Sequence, residues 1–327
     1  MPRIVPLATA AAAAAVTVSS AAAAVPRRVV GDGTRASCTS AAVVRAVARG
    51  GEIRFRCGPR PVVIRMAATA KVRNVNPVTI IDGAGLVTLD GVGRRRILYQ
   101  NTCDRRQGWT TSHCQDQPNP VLVVRRMRFV RGDSTGQAVD GGGGGAIFVR
   151  GGRLRVERSR FRDNRCDRVG PDVGGAAIRA LSQFRGRPVE IVDSVFRGGR
   201  CANGGAISSI GVSWSIVGGE FRDNRATGRG ANPARPGTPG GGNGGAVYLD
   251  GNTFTLSLRR VTMEGNVAPE GGGAIFFVSN DRTGTATIAS STLRGNPSRG
   301  FETRGLPGIF FLGARPPALV EGTRLER

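Results

Sequence analysis

Gly244-Gly245-Ala246-Val247 opens a phrase that closes at Met263-Glu264-Gly265-Asn266, and the same phrase recurs through residues 144–296. Its opening half also reads Gly144-Gly145-Ala146-Ile147, Gly174-Gly175-Ala176-Ala177, Gly204-Gly205-Ala206-Ile207 and Gly272-Gly273-Ala274-Ile275. Its closing half, an apolar residue followed three later by Asn, recurs as Phe161-Arg162-Asp163-Asn164, Phe221-Arg222-Asp223-Asn224 and Leu293-Arg294-Gly295-Asn296. Phe196-Arg197-Gly198-Gly199 is a degenerate copy. Opening phrases start 30, 30, 40 and 28 residues apart. A period in that range, with Gly, Asn and alternating β-branched residues, marks a stacked β-solenoid. Each repeat supplies strands too short to form a sheet alone, so each must pair with its counterpart in the next coil, about 4.8 Å away. Gly and Asn fit corners that need left-handed backbone, and asparagines at one corner can stack as an amide ladder. No apolar stripe runs at helical spacing, which excludes a helical repeat. The fold class expected is all-β, a right-handed parallel β-helix.

Working outward, residues 1–24 combine Arg3, an Ala/Val-rich run and Ala22-Ala23-Ala24, the pattern of a cleavable secretory signal peptide. Secretion to the extracellular space follows, and nothing later approaches a transmembrane helix. Residues 25–60 read as an N-terminal cap, 61–313 as the solenoid and 314–327 as a C-terminal tail or cap. Six cysteines in an exported chain suggest disulfides, with fifteen pairings open. Spacing favours Cys38 with Cys57, Cys103 with Cys114 and Cys166 with Cys201. A lone histidine, His113, and the absence of Cys-x-x-Cys argue against metal ligation by these thiols. Two insertions interrupt the coils: a polar loop over 100–120 containing Trp109 and His113, and a Pro/Gly-rich excursion over 227–242.

Net charge is +24, from 47 basic and 23 acidic side chains, and Lys71 is the only lysine. A surface this basic attracts polyanions. The chain carries no nucleic-acid motif and only 5% aromatic residues, so the expected partner is acidic polysaccharide or an anionic cell envelope, engaged by a monomer.

The alternation of Gly-Gly-Ala-Ile with Phe-x-x-Asn resembles the repeat of chlamydial polymorphic outer-membrane proteins. Over residues 36–313 the chain is similar to bacterial secreted parallel β-helix proteins of the pectin-lyase-like superfamily, whose members include lyases, hydrolases and adhesins. The run from Cys38 through an amphipathic helix over 40–48 to a strand over 52–56 and Cys57 looks like the N-terminal cap of such proteins. Two readings stay open from the resemblance: a polysaccharide lyase or glycoside hydrolase, and a non-catalytic glycan-binding or adhesin-like surface protein.

Superimposing repeats aligns the turns that follow the Gly-Gly-Ala strands, so polar residues there form a linear site suited to a polymer. Asp250 and Asp281, on consecutive coils, are the candidate catalytic carboxylates, since glycoside hydrolysis needs an acid and a second carboxylate about 5–9 Å apart. Arg282 would hold a uronate carboxylate. Arg150, Gln183, Asn252 and Asn280, with Trp109 and His113 from the disulfide loop, are the candidate substrate-binding residues. No cofactor is required on this reading, although calcium bound by Asp167 and Asp172 stays open. Asp-Gly-Asn and Asn-Asp-Arg-Thr-Gly are also ordinary turn sequences, which gives both aspartates a purely structural alternative.

Overall fold

A computed structural model describes residues 24–138 and 141–327; the segment 1–24 read as a signal peptide, but for its last residue, lies outside them. Among the described residues the chain builds a 14-stranded and an 8-stranded sheet, with every strand pair inside them parallel. Sequence neighbours in each sheet lie one coil apart. Trp214–Arg222 lies between Val189–Arg197 and Thr255–Glu264, and Val247–Gly251 lies between Ile207–Ile210 and Ile275–Ser279. This is a parallel β-helix.

The long strands turn a corner midway and keep their register across it, except that Val78–Asp90 and Val121–Val130 shift there. Arg126, Arg158, Asp193, Gly218, Arg260 and Ser290 sit there with φ between 45° and 63°. A second corner follows each apolar residue of the closing phrase. In Phe161-Arg162-Asp163-Asn164 the third residue, Asp163, has φ 53°, and Asp223 and Gly265 repeat it at 57° and 67°. Side chains of the fourth residue then run along the axis. Asn224 Nδ2 donates to Asn266 Oδ1 at 2.9 Å, and Asn266 Nδ2 donates to Asn296 Oδ1 at 2.8 Å. The anticipated amide ladder exists, and it also feeds the backbone carbonyls of Phe196, Phe221 and Met263.

Alternation fills the tube. Val124, Val156, Ile191, Ile216, Leu258 and Ile288 form one inward column. Phe129, Phe161, Phe196 and Phe221 form another, their rings stacked 4.7–5.1 Å apart. All are at most 1% exposed. Removing this much aromatic and aliphatic surface from water is the main stabilising term.

One register differs from the sequence reading. Ile178 pairs with both Ile147 and Ile207, so the second copy of the opening phrase begins at Gly175 rather than Gly174. The backbone decides this. Gly175 holds the left-handed position with φ 74°, and a Cβ there would lie 2.1 Å from the carbonyl oxygen of Ile178.

Helix α1, Ser40–Arg49, caps one end. Thr39 accepts a hydrogen bond from Ala42 N–H at its start, and Val43, Ala46 and Val47 close over the first coil. Cys38–Cys57, Cys103–Cys114 and Cys166–Cys201 are bonded. Within 25–60, Arg27–Val30 already forms a rung of the larger sheet. Within 314–327, Ala318–Val320 and Arg324–Glu326 pair with Thr287–Ala289 and Thr292–Arg294 as a further rung.

Candidate functional site

The turns after the Gly-Gly-Ala strands do stack, but the residues nominated there are largely occupied with one another. Asp250 is half-buried at the end of its strand. Its Oδ2 accepts from Asn232 Nδ2 at 2.8 Å and Tyr248 Oη at 3.0 Å. Its Oδ1 accepts from Gly251 N–H at 2.7 Å and Asn280 Nδ2 at 3.1 Å. Register pairs Asp250 with Val278, so Asp281 falls three residues beyond the matching position. There Asp281 folds onto its own turn. Oδ1 accepts from Thr283 N–H, Thr283 Oγ1 and Ser279 Oγ, and Oδ2 from Thr253 Oγ1, all within 3.1 Å. The backbone N–H of Thr283, then these hydroxyls, hold its carboxyl down to about 2. A group so acidic stays ionised near neutral pH and is unsuited to donate a proton.

Of the other candidates, Asn252, Asn280 and Arg282 share these two turns and the rest lie on earlier coils. Arg282 is exposed, with φ 61°. Asn280 is committed to Asp250, and Asn252 is exposed. Arg150 ends its strand opposite Asn101. Gln183 is 6% exposed, and its Oε1 accepts from Leu154 N–H at 2.8 Å, a coil-to-coil bond rather than a ligand contact. Trp109 is 59% exposed, with the Arg105 guanidinium 4.5 Å over its ring. His113 is exposed in the same disulfide loop, which rests on the stack through Asp116 Oδ1 and Arg185 N–H, 2.6 Å apart. Among the described residues no three of His, Cys, Asp and Glu come together as a metal-binding set, and no helix is long and apolar enough to cross a membrane.

Beneath the 227–242 excursion lies a group the repeat pattern did not announce. Arg179 is 2% exposed at a position where neighbouring coils carry Phe148 and Ser208. It donates to Ser208 Oγ at 2.7 Å and to the Asp172 carbonyl at 2.5 Å. Burial pulls its guanidinium down to about 10, against the opposing pull of Tyr248, Asp172 and Asp250. Burial likewise pushes the Tyr248 hydroxyl well above its ordinary value. Asn232 bridges the excursion to this cluster, donating toward Tyr248 Oη at 2.6 Å as well as to Asp250.

The second corner carries a different arrangement. Arg162, Arg197 and Arg222 are paired in register on three successive coils, just before the left-handed residue. Arg165, Arg200 and Arg225 are paired just after it. Arg162, Arg165, Arg197 and Arg200 line one groove of about 710 Å³ together with Asp163 and Asp223. Adjoining depressions extend it along the solenoid, toward Arg65 and Asp90 on one side and Glu264 on the other. Some of this charge is answered: Arg162 by Asp163 at 2.9 Å, Arg197 by Asp223 at 3.2 Å and Arg165 by Asp133 at 2.7 Å. Arg222 pairs with Glu220 at 3.1 Å and with Glu264. Arg200 and Arg225 are exposed and carry no ion pair among the described residues. The sequence signal for these rows was present in Phe-Arg-Asp-Asn-Arg, which occurs at 161–165 and 221–225, and in Phe-Arg-Gly-Gly-Arg at 196–200.

Fold and surface together define a parallel β-solenoid with a basic corner and with its turn carboxylates engaged in structural hydrogen bonds. Residues 260–278 match the family model for the Chlamydia polymorphic membrane protein (Chlamydia_PMP) repeat. That segment runs from the bend at Arg260 through Met263-Glu264-Gly265-Asn266 to Gly272-Gly273-Ala274-Ile275, one closing phrase and the opening phrase after it. No curated protein and no solved structure matches the chain.

Proposed function

We propose that this protein is an extracytoplasmic, surface-associated interaction protein that binds acidic polysaccharide without cleaving it. The observation that supports this most is the division of labour between its charges. Asp250 and Asp281 spend their oxygens on turn hydrogen bonds, while a surplus of arginine is displayed in rows along the axis. Catalysis by the paired-carboxylate route needs one carboxyl that holds a proton and one free to act on water or carbon. Binding needs only the cations. Three disulfides accord with an oxidising compartment, and the matched repeat accords with a surface location.

The test is a screen of the full chain without its signal segment against polyuronates, sulfated glycans and neutral polymers. Ultraviolet absorbance of unsaturated products, reducing ends and co-sedimentation are followed together. Co-sedimentation with acidic polymers alone, with no product, is the expected result. Product formation abolished by alanine at Asp250, Asp281 and Arg282 would instead establish the lyase or hydrolase reading. In that case Arg150, Asn252, Asn280, Trp109 and His113 become its substrate contacts.

A further inference from the structure

We infer that the two arginine rows flanking the second corner, Arg162/Arg197/Arg222 and Arg165/Arg200/Arg225, form the binding site for a linear acidic glycan bearing one carboxylate per sugar ring. The glycan lies parallel to the solenoid axis. This assignment rests on the binding reading above and specifies where and what the protein binds.

The first argument is pitch. Each row is held by backbone pairing between coils, Arg162 with Arg197 with Arg222 on one side and Arg165 with Arg200, then Arg200 with Arg225, on the other. Parallel strands stand about 4.8 Å apart, so a cation recurs at that interval along the axis. An extended polyuronate presents its carboxylates at about one pyranose ring length, which is commensurate with that step. The phosphates of a nucleic-acid strand in a duplex recur every 3.4 Å or so and drift out of register within a few steps.

Chemistry is the second argument. Guanidinium groups meet carboxylates through two parallel N–H···O bonds, and all six positions are arginine. The rows carry no exposed aromatic residue between them, because Phe161, Phe196 and Phe221 face the core. A single-stranded nucleic acid would need such stacking platforms. The third argument is the ends. Each row ends after three coils: Val130 and Glu264 flank Arg162 and Arg222 in register, and Asp133 and Val267 flank Arg165 and Arg225. A run of three acidic rings fills a row. Longer chains gain little further contact.

The experiment measures binding of oligogalacturonates of two to six rings to the full chain by calorimetry. R197A/R200A/R225A removes the centre of both rows and one end of the second, and R197K/R200K/R225K keeps the charge but not the fork. R150A/N252A/N280A on the turn face is the control. Exposed ion pairs contribute modestly, so the alanine triple should weaken binding about thirtyfold. The lysine triple should lose part of that affinity and retain the parent's unfolding temperature, which keeps the test valid if the alanine triple unfolds. The control should stay within about twofold of the parent, and affinity should climb from two rings to three and then level off. Loss in R150A/N252A/N280A with both arginine triples unchanged would overturn the site while leaving the binding function standing. Preference for single-stranded DNA of equal charge would overturn the ligand class. A parent that binds no acidic polymer would overturn the function together with the site.

Discussion

Asn224 gives both its backbone N–H and its side-chain Nδ2 to the same oxygen, Oδ1 of Asn266, at 3.1 Å and 2.9 Å. Asn266 is completely buried, and its own Nδ2 donates to the Phe221 carbonyl at 2.8 Å and to Asn296 Oδ1. Replacing it by alanine strands donors on one coil and acceptors on two. Unsatisfied buried polar groups cost about 1–3 kcal/mol each, only part of which water entry recovers. We expect Asn266→Ala to cost about 2–4 kcal/mol in denaturant unfolding. Asn252→Ala, on an exposed turn, should be nearly neutral.

Asp281 predicts a specific acid limb. Its folded carboxyl is held at about 2, below the ordinary 3.8, by Thr283, Ser279 and Thr253. A depressed folded value means the ionised group stabilises the fold at pH above 3.8, and that contribution is lost as pH falls toward 2. Asp281→Asn removes the contribution at neutral pH. The stability difference between parent and variant should therefore shrink between pH 4 and pH 2, followed by thermal unfolding. A difference that stays constant across that window would show that the turn bonds do not stabilise the ionised form.

Cys166 and Cys201 join neighbouring coils just past the second corner, with Cα atoms 4.8 Å apart and a sequence separation of 35. Closing a loop of that length restricts the unfolded chain by about 3–4 kcal/mol. The Cys166→Ser/Cys201→Ser double variant should lose roughly that much, or less if the unfolded chain keeps structure, as read by denaturant midpoint. Cys103→Ser/Cys114→Ser, which closes a shorter surface loop, should lose less.

The base of the 227–242 excursion is bonded to neighbouring coils through Thr227, Gly228 and Gly242, and its middle is held by side chains at two further points. Asn232 reaches Tyr248 and Asp250, and Glu270 accepts from Gly230 N–H at 2.7 Å and pairs with Arg235 at 2.9 Å. Removing both fasteners in Asn232→Ala/Glu270→Ala should let the segment open locally without unfolding the coils beneath. Trypsin cleavage after the exposed Arg229 should accelerate by about tenfold or more, with little change in the global transition.

What could be read in the chain depended on how local the cause was. Gly-Gly-Ala-Ile and Phe-x-x-Asn state backbone requirements, left-handed corners and a buried amide, and these fix the coil whatever its neighbours do. Cys166–Cys201 was legible for the same reason, because stacking brings equivalent positions together, while the other two pairs were legible from their short spacing. The slip at Gly174 arose because either glycine of the pair can open the phrase, and only the pairing of Ile178 decides. Asp250 and Asp281 looked like partners because turns of unequal length cannot be aligned by counting, whereas the register places Asp281 three residues on. Arg179 was invisible, since a lone arginine at an outward position gives no sign that Asn232 and the 227–242 excursion cover it. The basic corner was present in Phe-Arg-Asp-Asn-Arg, but its arginines become a row only when the coils are stacked.

Because the coils are stacked by parallel strands, a pull applied along the axis from the two ends bears on them in series. Each coil peels away alone and holds its neighbour until its own rungs part. An unravelling trace should therefore be a staircase, with steps of about 100 Å for coils of some thirty residues at full extension. One taller step should come from the coil lengthened by the 227–242 excursion. The Cys166–Cys201 bond withholds the segment it encloses, so adding reductant should restore that missing length to the trace. The molecule is stiff in cross-section and sacrificial along its length, the behaviour of a tether that yields by increments under load.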